Sequence, residues 1–281
     1  MLKQRVITAL VLLALLLPAL FAPMPWPFAL LMLLMAGAAA WEWARLNSAS
    51  ALMALLMGGA VALACGLALL AGWVRVGASL AWWIAFGVWV LGGVLALRVG
   101  PGSWHTLPRA ARWVLGMAAI WTAWLALSSA KATGINFILS IFCLVWVADI
   151  AAYFGGKAFG RRKLAPSISP GKSWEGVWSG MLGVQLLAVA WIQADRHWQL
   201  AQVDSASLFT GLLSHLGVAG LVLALVFLSA MSVVGDLVES LVKRSAGTKD
   251  SSGLLPGHGG VLDRVDALLP VFPIAMALAT L

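Results

Sequence analysis

Apolar runs of membrane-spanning length follow one another along almost the whole chain, and they leave few folds open. A bilayer crossing needs about 20 mostly apolar residues. Nine runs qualify, near Val6–Ala22, Pro27–Arg45, Ala51–Trp73, Ser79–Leu97, Trp113–Ser128, Gly134–Phe154, Gly176–Gln193, Leu216–Gly235 and Val261–Leu281. None alternates polar with apolar residues as a barrel strand does. Backbone groups in lipid must be satisfied within their own segment, so helices are expected. The expected fold is all-α: a polytopic integral membrane helical bundle of about nine transmembrane helices. The chain is 62% hydrophobic, against roughly 45–50% in soluble domains.

Orientation follows from the cations. With nine spans, one side carries Lys3, Arg5, Arg45, Arg98, Arg109, Arg112, Lys157, Arg161, Arg162, Lys163, Lys172, Lys243, Arg244, Lys249 and Arg264. The other carries Arg75, Lys131 and Arg196. Cytoplasmic loops concentrate lysine and arginine, so the N-terminus is expected in the cytosol and the C-terminus outside. This topology explains most of the net charge of +8, and no nucleic-acid partner is expected. The first run looks like the apolar core of a signal peptide, but the following PMPWP is no cleavage site, so an uncleaved first span is expected. Cys65 and Cys143 lie inside apolar runs and are expected to pack there as free thiols. The tryptophans, among them Trp82, Trp83 and Trp89, are expected at membrane interfaces or between spans.

Residues 1–281 are expected to form a single membrane domain. Within it, 1–130 supplies embedding, packing or dimerisation spans, and 131–281 supplies catalytic spans and cytosolic loops. Glu42 is the exceptional charge in the early spans, expected to face water or pair with Arg45. The ridges Gly58–Ala62–Gly66 and Gly176–Gly180 suit close helix packing, first within the bundle and second in a homodimer. His105, and the Ala194–His215 connection with Asp195, Arg196, His197 and His215, are expected in solvated loops.

The chemistry is expected in Ser240–Asp266 and in a second polar loop. Of the 10 acidic residues, Glu42, Asp149, Glu175, Asp236, Glu239, Asp250, Asp263 and Asp266 fall at or near cytosolic ends of spans. Asp236 closes one apolar run and Asp263 opens the next, antiparallel one. At 1.5 Å per residue both reach one leaflet, as a shared metal ion requires. Asp236, Glu239, Ser240 and Lys243 stand at i, i+3, i+4 and i+7 on one helix face. Charges at this depth usually serve a function, although Lys243, Arg244 and Arg264 are also available to neutralise the acids. Gly253–Gly260 is rich in glycine, and with the positive end of the next helix it suits a polyanion. His258 can donate to a phosphate oxygen. The second loop holds Gly171-Lys172-Ser173, but Pro166 replaces the glycine that a P-loop needs. Lys172 is a phosphate ligand by charge, with Glu175 a partner for base, ribose or metal. Asp149, Tyr153 and Lys157 reach the same surface. Cations for polyphosphate, acids for a bridging metal and flanking spans together imply phosphoryl-type chemistry on a lipid. A transporter is the alternative, but its charges would gather at mid-membrane in broken, repeated helices.

Three segments carry a resemblance: Ser240-Leu-Val-Lys243-Arg244 through Lys249-Asp250, Leu-Pro-Gly-His258-Gly259-Gly260 and Leu-Asp263-Arg264-Val-Asp266; Ala148–Lys157; and Ser169–Glu175. This pattern, spread over Val147–Leu268, resembles the phosphatidate cytidylyltransferases (CDP-diacylglycerol synthases). The resemblance implies transfer of CMP from CTP to phosphatidate, with release of pyrophosphate, in a bacterial inner membrane with the site facing the cytoplasm. It implies Mg2+, with room for a second cation, on Asp236 and Asp263, and Asp266 in support or on the second ion. Lys243, Arg244, Lys249, His258 and Arg264 are then phosphate-contacting groups, with Ser240, Gly259 and Gly260 beside them. Asp149, Lys172, Ser173 and Glu175 belong to the nucleotide side. The implied partners are CTP, phosphatidate and membrane lipid. A cytidylyltransferase for other lipid phosphates, or a CTP-dependent polyprenol kinase, is the alternative.

Overall fold

The computed structural model describes residues 2–76, 79–197 and 204–281. Its helices run in the order α1 (Leu2–Phe21), α2 (Trp26–Leu46), α3 (Ala51–Leu70), α4 (Trp73–Val76), α5 (Ser79–Val99), α6 (Arg109–Thr133), α7 (Ile135–Phe159), α8 (Trp174–His197), α9 (Leu208–Ser245), α10 (Leu262–Val265) and α11 (Leu268–Leu278). Among the described residues seven helices, α2, α3 and α5 to α9, are long and apolar enough to cross a membrane. The chain is thus a polytopic helical membrane protein. The expected first run is a shorter apolar helix, Val6–Phe21, and the expected ninth breaks between α10 and α11. The run expected over Trp113–Ser128 extends to 25 residues in α6.

One element departs from an all-helical chain. Between α7 and α8, β1 (Lys163–Ala165) pairs antiparallel with β2 (Ser169–Ser173), so the second polar loop is a hairpin rather than an open coil.

Helix ends follow local chemistry. Ser50 and Ser207 cap α3 and α9 by accepting from the N–H of Met53 and Thr210. Gly217 interrupts α9 with φ 67 and ψ −175, a conformation open essentially to glycine. The stretch after this break matches the expected run from Leu216, but it stays helical past Gly235 to Ser245. It ends in a Schellman turn: Thr248 N–H reaches the Lys243 carbonyl, Gly247 N–H the Arg244 carbonyl, and Gly247 has φ 72.

Both small-residue ridges are used inside the chain. A Cβ on Gly58 would come within 2.8 Å of the Gly37 carbonyl, and one on Gly180 within 2.7 Å of the Ala148 carbonyl. These glycines seat α3 on α2 and α8 on α7. Gly116 makes room for the Trp43 indole, which donates to the Arg112 carbonyl at 2.8 Å. Gly235 lets α9 approach the Asp266 carbonyl, at 2.5 Å from where a Cβ would sit, and Pro270. Trp82, Trp124, Phe28 and Phe209 are fully buried, whereas Leu34, Leu70, Leu80 and Leu223 face outward, as a lipid-covered surface requires. Of the three tryptophans named above, Trp82 and Trp89 pack between helices and Trp83 is exposed. Both cysteines are free thiols, Cys65 buried and Cys143 partly so.

The end opposite the polar loops is more ordered than a solvated loop. Asp195 is buried in α8 and accepts from Asn136 Nδ2 (3.0 Å), Ser207 Oγ (2.6 Å) and Thr210 Oγ1 (2.6 Å). Asp204 accepts from the N–H groups of Ile135 and Asn136, which start α7. Burial works against the Asp204 charge, but these donors prevail and hold its carboxyl below the usual range. The expectation of a solvated Ala194–His215 connection therefore fails for Asp195, and His215 lies within α9. Residues 198–203 of that connection lie outside the described residues.

Candidate active site

The polar extension of α9 meets two other stretches of chain. The first is the hairpin and the start of α8. Lys172, half-buried on β2, places Nζ 2.6 Å from Asp236 Oδ2, while Ser240 Oγ donates to Asp236 Oδ1 at 3.2 Å. Arg244 ties down the hairpin turn, with Nε donating to the Ile168 carbonyl at 3.3 Å. Ser173 is buried and accepts from Gly176 N–H, so it starts α8 rather than facing solvent. Glu175 accepts from the N–H groups of Arg161 and Arg162 at 3.1 to 3.3 Å. Its carboxylate therefore fastens the hairpin stem. Asp149 is exposed on α7, within electrostatic reach of Lys172 and Asp236.

The second is the loop from Ala246 to Val261, followed by α10. Lys243 reaches Asp263 Oδ1 at 2.6 Å and Glu239 Oε2 at 2.5 Å. Asp263 Oδ2 accepts from Ser251 N–H (2.9 Å), Ser251 Oγ (2.8 Å) and Gly260 N–H (2.7 Å). Gly259 has φ 83, and a Cβ there would stand 2.7 Å from the same oxygen. Within the glycine-rich loop the Gly260 N–H points inward to this carboxylate, while those of Leu255 and His258 meet the carbonyls of Gly259 and Leu255. Asp266 Oδ1 accepts from Ala267 N–H, and Asp236, Lys172 and Lys243 lie within its electrostatic reach. Lys249 and Arg264 are exposed and make no ion pair among the described residues. His258 Nδ1 is buried with no hydrogen-bond partner there.

The expected i, i+3, i+4, i+7 face therefore forms in α9, and Lys243 joins its acid Glu239 to Asp263 of α10. Lys172 pairs with the other acid of that face, Asp236. Glu42 differs most from expectation. It neither faces water nor pairs with Arg45, whose guanidinium lies 5.1 Å from the Trp41 ring centroid. It is fully buried and bonded to Ser251, Ser252, Val261 and Leu262. His105 is exposed as expected, but it is not free. Arg112 can only donate to Nδ1, at 3.0 Å, so Nε2 carries the proton and donates to the Ser245 carbonyl at 2.8 Å.

A model of the cytidylyltransferase family matches residues 3–281. The chain belongs to this family. A phosphatidate cytidylyltransferase of Pseudomonas aeruginosa is 41% identical over 99% of this chain and 97% of its own length. A Haemophilus influenzae protein of the same name is 46% identical over 50% of this chain and 44% of its own length. The chloroplastic phosphatidate cytidylyltransferase 5 of Arabidopsis thaliana is 38% identical over 62% and 35%. The full-length match extends the family likeness into the first spans, where the sequence by itself shows only apolar runs.

Glu42 and Ser251 were not among the expected site residues, and Glu239 was named only for its helix face. For Glu42 a signal existed: a lone acid inside an apolar run between Trp41 and Trp43, which membrane energetics marks as functional. For Ser251 there was none.

Asp263→Ala strips the acceptor from Ser251 N–H, Gly260 N–H and Lys243 at once. Losing one partner of a buried pair costs on the order of 3–5 kcal/mol, so the thermal unfolding midpoint in detergent should drop clearly. Lys249→Ala and Arg264→Ala should leave that midpoint unchanged. Equal midpoints for all three variants would contradict the role of Asp263 as the loop's anchor.

Proposed function

We propose that this chain transfers CMP from CTP to phosphatidate, giving CDP-diacylglycerol and pyrophosphate at the cytoplasmic face of a bacterial inner membrane. The carrying observation is the convergence of Asp236, Lys172, Lys243, Asp263 and Asp266 at one end of a membrane bundle whose full-length relative is a phosphatidate cytidylyltransferase. A phosphatidate oxygen attacks the α-phosphorus of CTP, the new P–O bond forms, and the bond to the β-phosphate oxygen breaks. The nucleophile is already anionic and needs little help from a base. The barrier lies in bringing two polyanions together, so the protein contributes positioning and charge compensation.

Lys172 supplies a point charge to the triphosphate from the hairpin, and Asp149 and Glu175 line the nucleotide side. Lys249 and Arg264, exposed and unpaired among the described residues, meet phosphate oxygens. Lys243 and Arg244 complete the cationic rim, with His258 donating to a phosphate oxygen and Ser240, Gly259 and Gly260 shaping it.

Magnesium, when bound, would offset charge between the reacting phosphates. Asp236 suits such an ion, because it is half-buried and Asp149 and Asp266 stand near it as further acids. Asp263 joins as a ligand through Oδ1 only if Lys243 moves, because Oδ2 already accepts from three donors. Among the described residues no three His, Cys, Asp or Glu side chains converge into a cage. This suits magnesium, which takes one or two carboxylates together with substrate phosphates and water.

Nine crossings with a cytosolic N-terminus fit two contacts. Thr8 near the start of α1 donates to the Pro256 carbonyl of the site loop at 2.9 Å. Thr280 at the C-terminus meets Trp83 near the start of α5, at the other end of the bundle.

Purified protein given radiolabelled CTP and phosphatidate should form CDP-diacylglycerol only with magnesium, and Asp236→Asn should abolish turnover while remaining in the membrane. No product from the wild-type chain would refute the function. Lys172→Ala removes one charge-assisted contact, worth about 1.5–3 kcal/mol. It should therefore lower kcat/KM for CTP roughly tenfold to hundredfold, mainly through KM, and affect phosphatidate less. Unchanged kinetics would reduce Lys172 to a topology marker. For orientation, an impermeant thiol reagent on intact cells should label His197→Cys and spare Ser167→Cys, and the reverse pattern would invert the topology.

A further inference from the structure

The group that the proposed chemistry leaves unused is Glu42. It comes from α2, in the half of the chain that supplies none of the proposed substrate contacts, and its side chain is wholly buried. Oε1 accepts from Ser252 Oγ (2.5 Å) and Val261 N–H (2.9 Å), and Oε2 from Ser251 Oγ (3.1 Å) and Leu262 N–H (2.7 Å). Among the described residues no lysine or arginine pairs with it. A buried carboxylate without a cation is costly unless donors satisfy it, and Ser252, Val261 and Leu262 do so, with Ser251 as a shared fourth.

The donors lie at the two ends of one loop. Ser251 and Ser252 form its entry, and Val261 and Leu262 its exit into α10. One carboxylate from a distant helix therefore pins both ends together. The next residue after Leu262 is Asp263, whose Oδ2 is held by Ser251 and Gly260 of the same loop. Ser251 Oγ stands between the two acids, with one proton to share between them. Gly260 is required where the Glu42 carboxylate enters, because a Cβ would collide with Ser251 Oγ and Glu42 Oε1.

We propose that Glu42 is a positioning residue for cytidylyl transfer: by closing the 251–262 loop it sets Asp263, and through it Lys243, in place. It touches no reacting atom. The first half of the chain thereby becomes a working part of the site, and this inference rests on the function proposed above.

Glu42→Gln tests it with little change of shape. The amide places an N–H2 group against Val261 or Leu262. The serine hydroxyls can turn to accept from it, but a backbone N–H cannot. In full-length protein in lipid nanodiscs, kcat should fall roughly tenfold or more, with KM for CTP and phosphatidate changed less than about twofold. In the same samples, hydrogen exchange in peptides covering 251–262 should quicken, while peptides from α7 and α8 stay protected. A residue that merely held the bundle together would lower the thermal midpoint and leave turnover of the folded fraction and exchange of the loop unchanged. That result overturns the proposal. Should Glu42→Gln fail to accumulate, Ser252→Ala decides, since it removes one of the four bonds. A smaller loss of kcat with faster exchange at 251–262 supports the role, and wild-type values for both refute it. A wild-type chain that makes no CDP-diacylglycerol would refute the proposed function alone, because the exchange measurement reads the hold of Glu42 on the loop without turnover.

Discussion

Where the site loop re-enters the bundle, its backbone N–H groups have neither a helix nor bulk water to satisfy them, and two carboxylates take their place. Glu42 accepts from Val261 and Leu262, and Asp263 accepts from Ser251 and Gly260. Buried peptide groups must be paired somewhere, and the loop's own pairing is confined to the turn at Leu255–Gly259. Its two ends are therefore set by these two acids, and the other features of the site follow from where they hold it.

The first consequence concerns charge. With Asp263 fixed from the loop side, its second oxygen faces α9 and takes Lys243, which also meets Glu239. On the other flank the hairpin brings Lys172 to Asp236. The site thus interleaves acids with lysines, and is not a bare basic patch. An arrangement of this kind can exchange a lysine–carboxylate pair for a metal–carboxylate and lysine–phosphate pair without burying uncompensated charge. That property suits a reaction between two polyanions.

The second consequence concerns glycine. Two glycines of the loop that looks from sequence like a phosphate cradle also make room for its anchoring groups. Gly259 adopts a positive φ beside Asp263, and Gly260 leaves space for Ser251 and Glu42. Elsewhere Gly235 and Gly116 let a backbone and an indole come close. Glycine in this chain marks close approach between elements as often as it marks turns.

The sequence by itself determined the helical membrane fold, the shared face of Asp236, Ser240 and Lys243, and the family. Each rests on something local: the length of an apolar run, a 3.6-residue period, or a contiguous motif. Only the tertiary structure decided that Glu42 is a buried clamp rather than a solvated end charge, that Ser173 and Glu175 serve the hairpin and α8, that Asp195 is a buried acceptor, and that α9 breaks at Gly217 yet runs on to Ser245. Glu42 and Leu262 are 220 residues apart, and Lys172 and Asp236 are 64 apart. Such pairs depend on which faces of different helices meet. In lipid, apolar faces are nearly interchangeable, so that choice is made by shape and by buried polar partners, and neither can be read along a single segment.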